Sequence, residues 1–218
     1  MKEVNILSAS RSVVDNYMNQ LRNVELQNDR EKFRTAIRRI GRVIGYELSK
    51  SLEYETKQIR TPLDNHSQPT ISDQIVVITI LRAGLPLHEG LLDIFPDAEN
   101  GFISAYRKHE GEEFHIEVDY VACPNLENKV LILNDPMLAT GQSFINAWKA
   151  LQEYGKPKSV HLAAVIGSEE GVSYISENAL SDYKLWVGGV DPILNKQKYI
   201  VPGLGDAGDL AFGNKLQG

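Results

Sequence analysis

Lys129–Leu151 reads KVLILNDPMLATGQSFINAWKAL, and the interpretation of the whole chain starts from this stretch. Its apolar run Val130–Leu133 is short and rich in branched side chains, which predicts a buried strand. A polar break at Asp135 follows, and then a loop of small and hydroxyl-bearing residues, Ala139–Ser143. Beyond the loop, apolar residues recur at the spacing of one helix face. The stretch therefore predicts a strand, a loop and a helix in direct succession.

The predicted loop has the composition of an anion site. Free N–H groups at the start of the helix, the helix dipole and the hydroxyls of Thr140 and Ser143 would converge on one phosphate. Asp135 is placed to accept hydrogen bonds from sugar hydroxyls beside that phosphate. The stretch has no Gly-Lys-Ser/Thr triplet, so it is not a Walker loop. An ordinary strand-to-helix turn is the alternative for Thr-Gly-x-Ser alone, whereas the whole string predicts a site for a phosphate next to a ribose.

Composition narrows the class of protein. The chain has 218 residues, 42% of them hydrophobic and 24% charged, as in a globular enzyme of one domain. A net charge of −6 argues against nucleic acid or an anionic membrane as the main partner. Cys123 is the single cysteine, which excludes a disulfide framework and a cysteine metal site. No apolar run approaches the ~20 residues of a membrane span, so we expect a cytoplasmic protein.

Hydrophobic spacing elsewhere predicts an α/β chain. We expect an arm over residues 1–10, a helix over 11–23, a long helix from an N-cap at Asp29 to Leu52, and a polar connector over 56–73. Strands are predicted at 75–81, 101–106, 114–122, 159–166 and 183–187, with helices ending at Ile94 and over 169–178. Strands that alternate with helices through short crossovers form a parallel sheet with helices on both faces.

Two arginines follow predicted strands. Arg82-Ala83-Gly84 comes at the carboxyl end of the strand 75–81, where α/β sheets bind ligands. It indicates a second anion site, with a plain helix-capping turn as the alternative. Arg107 ends the strand 101–106 of a predicted hairpin, where it either contacts the same ligand or lies on the surface.

The C-terminal stretch Tyr199–Asp209 reads YIVPGLGDAGD. Its glycines formally match a dinucleotide fingerprint, but Pro202 interrupts the strand that should precede it, and no full helix and strand follow. What remains is a glycine-rich loop whose backbone can approach a flat ligand closely.

These three motifs resemble uracil phosphoribosyltransferases of the type I phosphoribosyltransferase family, and the likeness runs from about Phe33 to Gly213. It implies an α/β fold, a type I phosphoribosyltransferase-like parallel sheet flanked by helices. A hood formed by the C-terminal loop and the N-terminal segment would cover the sheet edge. The expected divisions of the single domain 1–218 are a helical arm to about 55, a core over about 70–187 and a hood over about 188–218. The implied enzyme transfers the 5-phosphoribosyl group of phosphoribosyl diphosphate (PRPP) to uracil, giving UMP and pyrophosphate in pyrimidine salvage.

The resemblance also assigns roles to residues. Those implied to bind PRPP are Arg82, Arg107, Asp135, Pro136, Met137, Leu138, Ala139, Thr140, Gly141, Gln142, Ser143 and Asp206. Those implied to bind uracil are Ile200, Gly205, Asp206 and Ala207, and the implied catalytic residues are Arg82 and Asp206. The implied cofactor is Mg²⁺. It would be coordinated by PRPP oxygens without a metal site in the protein, since Mg²⁺ usually keeps waters and phosphates as ligands.

The chain departs from the family pattern at three places. The segment Asp135–Ser143 is called the phosphate loop below. Gln142 stands where the family usually has a second glycine, so this loop would be strained if residue 142 needed a positive φ. Thr79 replaces a usual proline. Leu210 stands where the family often has a basic residue.

Three alternatives stay open at this point. One is a transferase for another base, although the hood offers no cation for the carboxylate of orotate. Another is a nucleotide-sensing RNA-binding regulator on the same fold, which would use the arginines of the long helix, Arg34, Arg38, Arg39 and Arg42. The third is an inactive paralogue. The long amphipathic helix predicts a homodimer or larger homo-oligomer, and the sequence leaves open whether GTP is an effector.

Overall fold

The computed structural model describes residues 2–110, 113–179 and 182–216, and within the strands it leaves the side chains of 105–110 and 113–118 undescribed. The strands are β1 Glu3–Ile6, β2 Tyr54–Arg60, β3 Asn65–Ile71, β4 Ile75–Leu81, β5 Glu99–Glu110, β6 Glu113–Ala122, β7 Val130–Asn134, β8 Met137–Leu138, β9 Ser159–Ser168, β10 Lys184–Asp191, β11 Ile193–Leu194 and β12 Ile200–Val201. The α-helices are α1 Val13–Arg22, α2 Arg30–Ser49, α3 Leu85–Leu92, α4 Gln142–Leu151, α5 Glu169–Asn178 and α6 Ala207–Phe212.

The main sheet has the order β1-β10-β9-β7-β4-β5-β6, and β8 pairs with β9 beyond the end of β7. All neighbouring strands are parallel except β5 and β6, which form an antiparallel hairpin. This mostly parallel sheet flanked by helices confirms the predicted fold class. From β4 the chain proceeds to β5 on one side, whereas β7 lies on the other side and leads to β9. The sheet therefore has a topological switch point between β4 and β7.

Alternation along the buried strands divides the core between the two faces of the sheet. In β4, Val77 belongs to the core cluster that contains buried residues of α1, α2 and α3, whereas Val76 and Ile78 belong to the cluster that contains those of α4 and α5. Because successive side chains of a strand point to opposite faces, a continuous apolar run is what a strand covered on both sides requires. The hood helix α6 joins the first face through Ala207 and Ala211.

Several predicted elements agree closely with the structure. The strand at Ile75–Leu81 has the predicted bounds, and Asp29 caps α2 by accepting a hydrogen bond from the Lys32 N–H at 3.1 Å. α1 lies within the predicted helix 11–23, and it buries Val14, Met18 and Leu21, which recur at the spacing of one helix face.

The prediction of an arm over residues 1–10 was wrong, because Glu3–Ile6 pairs in parallel with Lys184–Val187 and extends the sheet as β1. This segment has exposed and half-buried residues in alternation, so its partner strand, rather than its own hydrophobicity, makes it a strand. The long helix ends at Ser49, before the predicted Leu52.

The prediction of a connector over 56–73 was also wrong, because β2 and β3 form an antiparallel hairpin with Thr56 opposite Pro69. Almost all of its residues are exposed, so neither strand carries the buried face from which alternation is recognised. Its apolar side chains Tyr54, Ile59 and Leu63 are 49%, 41% and 97% exposed. Such a hairpin is marginally stable by itself and favours a partner surface.

Candidate active site

The candidate site lies at the carboxyl ends of β4 and β7, the neighbouring strands of the switch point. β4 leads directly into Arg82, and β7 leads into Asp135. The register places Thr79 opposite Asn134, so the two loops begin side by side. α/β proteins bind ligands at such a crevice. The structure thus brings together the two motifs predicted to bind anions, which are about 50 residues apart in the sequence.

A buried side-chain pair joins the two strands just below these loops. The Thr79 hydroxyl donates to Asn134 Oδ1 at 2.6 Å, and Asn134 Nδ2 donates to the Ile78 carbonyl at 2.9 Å. Both side chains are fully buried. A Cβ at Gly84 would lie 2.2 Å from Thr79 Oγ1, so the turn after Arg82 can approach this pair only as glycine. Thr79, a departure from the family pattern, therefore supports the start of the phosphate loop.

The phosphate loop is compatible with Gln142. Gly141 has φ +79° and caps α4, and Gln142 is the first residue of that helix. Within residues 2–110, 113–179 and 182–216, positive φ at residues other than glycine occurs only at Asn128 and Lys198. The strain expected if residue 142 required a positive φ does not arise, since the preceding glycine takes that conformation.

Hydrogen bonds hold the loop in place. Asp135 Oδ1 accepts from the Met137 N–H at 3.1 Å, and Thr140 Oγ1 accepts from the Gln142 N–H at 3.4 Å. From β9, the Ser168 hydroxyl donates to the Ala139 carbonyl at 2.6 Å. Pro136 and Leu138 are buried, and the Leu138 side chain packs in the core. The side chains of Pro136 and Leu138 are thus withdrawn into the protein, which leaves only their backbone for the predicted contact with PRPP.

Charged residues connect the turn after β4 to the hood. Arg82 Nη2 lies 3.2 Å from Asp209 Oδ1 and donates to the Gly213 carbonyl at 3.5 Å. Lys215 Nζ lies 3.1 Å from Asp206 Oδ2, and the Asp209 N–H donates to Asp206 Oδ1 at 3.0 Å. Two ion pairs, Arg82–Asp209 and Lys215–Asp206, thus lie next to each other and are linked through the Asp209 N–H. Arg82 and Asp206 were both predicted from the sequence, whereas Lys215 was not.

The electrostatics of Asp206 follow from these contacts. Burial opposes ionisation of its carboxyl, but the hydrogen bonds from the Asp209 N–H and the Lys215 ammonium lower its pKa below the ordinary value. Asp206 is therefore a carboxylate at neutral pH. Lys215 provides a cation here, whereas Leu210, where the family often has a basic residue, packs against the core.

The proposed base-binding residues lie between the start of β12 and the start of α6. Ile200 and Ala207 are buried and pack in the same core cluster, whereas Gly205 is exposed and has φ +92°. An open cavity of about 310 Å³ adjoins Gly205 and Asp206. The loop thus has apolar anchors on both sides of an exposed glycine whose backbone groups are accessible.

Arg107 lies in β5, and its side chain is outside the described part of the structure. The arginines of α2 are engaged within the chain. Arg38 and Arg42 pair with Asp93 at 2.8 and 2.7 Å, and hydrogen bonds, that from Arg38 foremost, hold the pKa of the Asp93 carboxyl well below its ordinary value. Arg34 donates to the Ala211 carbonyl at 2.6 Å, and Arg39 lies over the Tyr17 ring. These contacts weaken the case for a basic face that would bind RNA.

No group of three or more His, Cys, Asp or Glu side chains that could hold a metal occurs within the described ranges. Over the same ranges, no helix combines the length and apolar character that crossing a membrane requires. Burial lowers the pKa of His88, and it lowers that of His161 to about 4, so both are neutral core side chains.

Comparisons with known proteins identify the chain's relatives. The sequence model of the family described as "Uracil phosphoribosyltransferase" matches residues 8–214. A uracil phosphoribosyltransferase of Porphyromonas gingivalis is 45% identical over 98% of this chain and 100% of its own length. One from Methanococcus vannielii is 43% identical over 92% of this chain and 86% of its own length. The solved structure of the AQ2163 protein from Aquifex aeolicus matches with a TM-score of 0.86 at 32% identity, covering 98% of this chain and 99% of that one.

Substituting Thr79→Val tests the buried pair. We expect the free energy of unfolding to fall by about 1–3 kcal/mol, because Asn134 Oδ1 would be buried without its donor. Denaturant unfolding measures the change. Thr79→Ser keeps the hydroxyl and should lose less. The double variant Thr79→Val with Asn134→Leu should recover part of the loss, and additive losses would show that the pair is not coupled.

Substituting Lys215→Met tests the electrostatics of Asp206. We expect the pKa of Asp206 to rise, because the variant removes a cation that favours the carboxylate. A carbon-detected NMR titration of the aspartate carboxyls measures it. Since the folded pKa is depressed, this contribution to stability is present above the unfolded pKa and disappears as the pH falls through the folded value. Lys198→Met, which removes the exposed pair with Glu170, is the control. An unchanged Asp206 pKa would contradict the assignment.

Proposed function

The chain belongs to the uracil phosphoribosyltransferase family, and we propose that it transfers the 5-phosphoribosyl group from PRPP to uracil, giving UMP and pyrophosphate. The observation that carries this proposal is the convergence of three motifs at the carboxyl ends of the central strands β4 and β7. Arg82 contacts the hood at Asp209, while the Thr79–Asn134 pair sets the turn after β4 beside the phosphate loop. The reaction requires a pyrophosphate site, a ribose phosphate site and a base site in contact, and these are the sites that the three motifs offer.

PRPP is divided between the two loops in this proposal. The 5-phosphate binds the backbone and hydroxyls of Ala139–Ser143 at the start of α4, where the helix dipole favours an anion. Asp135 and the backbone of the loop through Leu138 accept hydrogen bonds from the ribose hydroxyls. Arg82 and Arg107 bind the pyrophosphate. Arg82 now contacts Asp209, and it would exchange this partner for pyrophosphate oxygens when PRPP binds.

Catalysis depends on positioning and on charge. The bond from C1′ to the pyrophosphate oxygen breaks with positive charge developing on the ribose, while uracil N1 forms the new bond to C1′ and releases its proton to solvent. Arg82 stabilises the negative charge of the departing pyrophosphate. Asp135 in the phosphate loop and Asp206 and Asp209 in the hood carry the oxygen donors that Mg²⁺ prefers, but they form no metal-binding group within the described ranges, so the ion would be held mainly through substrate oxygens. When bound, Mg²⁺ would supply further neutralisation of the pyrophosphate.

Uracil binds to the backbone of Ile200, Gly205 and Ala207 and to Asp206. Its alternating carbonyl acceptors and N–H donors match backbone amides and carbonyls without a charged side chain. Cytosine is rejected, because its amino group would face a backbone donor and leave polar groups unpaired. Asp206 has a lowered pKa and is a weak proton acceptor, so we assign it to orienting uracil and PRPP by accepting hydrogen bonds.

We also propose a cytoplasmic homo-oligomer. The support is the β2–β3 hairpin, which exposes apolar side chains and, within the described residues, forms a two-stranded sheet separate from the main sheet. A second copy of the chain is the proposed occupant of this surface. The long helix α2, on which the oligomer was predicted from the sequence, instead buries its apolar stripe within the chain.

The function is tested by incubating labelled uracil, cytosine, orotate or hypoxanthine with PRPP and Mg²⁺, with and without GTP. We expect turnover of uracil alone. Arg82→Gln should lower kcat by about 10²–10³-fold, because it removes a charge that stabilises the leaving group. Arg42→Gln removes a comparable exposed arginine, whose partner is Asp93 at the end of α3, and should retain activity. Folded protein that turns over none of the bases would contradict the proposal.

The oligomer is tested by light scattering coupled to gel filtration. The wild-type chain of 24.4 kDa should elute at a mass of at least two copies. Ile59→Asp with Leu63→Asp should lower the mass to that of a monomer, because charges would enter the apolar contact. Val24→Asp is the control, since Val24 is 70% exposed but lies between α1 and α2. A monomeric wild-type chain, or a hairpin variant of unchanged mass, would contradict the proposal.

A further inference from the structure

A buried carboxylate lies behind the base-binding loop. Asp191, the last residue of β10, is only 5% exposed. Its Oδ2 accepts from Arg22 Nη1 at 2.7 Å, and its Oδ1 accepts from Arg22 Nη2 at 2.7 Å. Asp191 Oδ2 also accepts from the Gly203 N–H at 2.8 Å. A carboxylate removed from water is stable only with such partners, and a forked pair with arginine fixes direction as well as charge.

Both backbone groups of Gly203 are therefore held by the same ion pair. While its N–H donates to Asp191, its carbonyl accepts from Arg22 Nη1 at 3.0 Å. A neighbouring contact continues this arrangement, since Gln27 Nε2 donates to the Leu204 carbonyl at 3.2 Å and to the Leu21 carbonyl at 2.8 Å. Two consecutive peptide groups of the hood are thus fixed by side chains from the N-terminal segment.

The backbone held by these contacts has a conformation that needs support. Gly203 has φ +63°, and a Cβ at this position would lie 1.9 Å from the Ile200 carbonyl. The turn is therefore tight and restricted to glycine. Glycine is also the residue with the greatest freedom to leave such a conformation, so external contacts must select it. Two residues later, Gly205 begins the part of the loop that presents backbone to uracil.

The ion pair is buried on the side of the loop that packs against α1 and β10. Arg22 retains 28% exposure of its side chain and Asp191 retains 8%. Burial opposes ionisation of the Asp191 carboxyl, but the Arg22 guanidinium and the Gly203 N–H lower its pKa below the ordinary value. The pair therefore stays charged at neutral pH. Within the described residues, the hydrogen bonds of these two side chains reach Gly203 and include neither Arg82 nor the phosphate loop, so we expect the pair to influence the base more than PRPP.

We propose that Arg22 and Asp191 are positioning residues, which hold Gly203 so that Gly205–Ala207 presents its backbone to uracil. This inference rests on the proposed function. It assigns the N-terminal helix a role in recognition of the base. Removing the pair should leave the pyrophosphate and phosphate sites intact while the base site loses its preformed geometry, and preorganised geometry contributes strongly to binding and rate.

Arg22→Met and Asp191→Asn test the proposal, with Arg38→Met as the matched control. Arg38 makes a similar forked pair with Asp93, at 2.8 Å for both contacts, but that pair joins α2 to α3. We expect the KM for uracil to rise about tenfold or more in the two test variants, with the KM for PRPP changing less than about twofold. Arg22→Lys keeps the charge but not the fork, so it should lie between wild type and Arg22→Met.

Hydrogen exchange gives a measurement that does not depend on activity. The segment containing Gly203 should exchange faster in Arg22→Met and Asp191→Asn than in wild type, while the β4–β7 pairing should exchange as before. Unchanged uracil KM and unchanged exchange in folded variants would overturn the inference, as would equal increases in both KM values. If wild-type protein fails to convert uracil, the proposed function fails; unchanged exchange near Gly203 would then separately overturn the positioning role.

Discussion

The parallel pairing of β4 with β7 is the interaction on which the rest of the site depends. It sets Thr79 opposite Asn134, and so determines that the turn carrying Arg82 and the loop beginning at Asp135 emerge together. Both strands are covered by helices on each face, which leaves their carboxyl ends as the accessible edge. The buried hydrogen bond between the two side chains adds direction to a contact that apolar packing alone would not orient.

The hood is held by residues from the opposite end of the sequence. Arg22 and Gln27 bind its backbone near Gly203, and Arg34 binds the Ala211 carbonyl. Arg82 meets it from the sheet edge at Asp209. A glycine-rich loop has little internal structure of its own, so contacts from other elements determine its shape. This arrangement suits recognition by backbone groups, because such groups are precise only when the chain carrying them is held.

Charge is used locally although the chain is acidic overall. The net charge of −6 is compatible with a site for a strongly anionic ligand because Arg82 and Lys215 are concentrated where the hood meets the sheet edge. The arginines of α2 illustrate the opposite use. Arg38 and Arg42 share Asp93, so a row of cations that could suggest a nucleic-acid surface becomes a contact between helices. Sequence position alone does not distinguish these two uses.

The sequence by itself determined the features that depend on local pattern. The continuous apolar run predicted β4 with its observed bounds, and the succession from Val130 to Leu151 predicted the strand, loop and helix around the phosphate loop. Such patterns predict which residues of one helix or strand will be buried, because the spacing of apolar residues within that element determines which face they share. The glycine-rich sequence of the hood likewise predicted a surface of accessible backbone, because glycine has no side chain to cover it.

Only the tertiary structure decided the pairs of distant residues. No residue of β1, β2 or β3 is fully buried, and their strand partners alone reveal them. Arg22 and Asp191 are 169 positions apart, and Lys215 reaches Asp206 from a terminal segment without periodicity. No local pattern encodes which carboxylate a given cation will meet. That choice depends on how packed helices and strands bring chain segments together, and it completes a site whose parts the sequence had supplied separately.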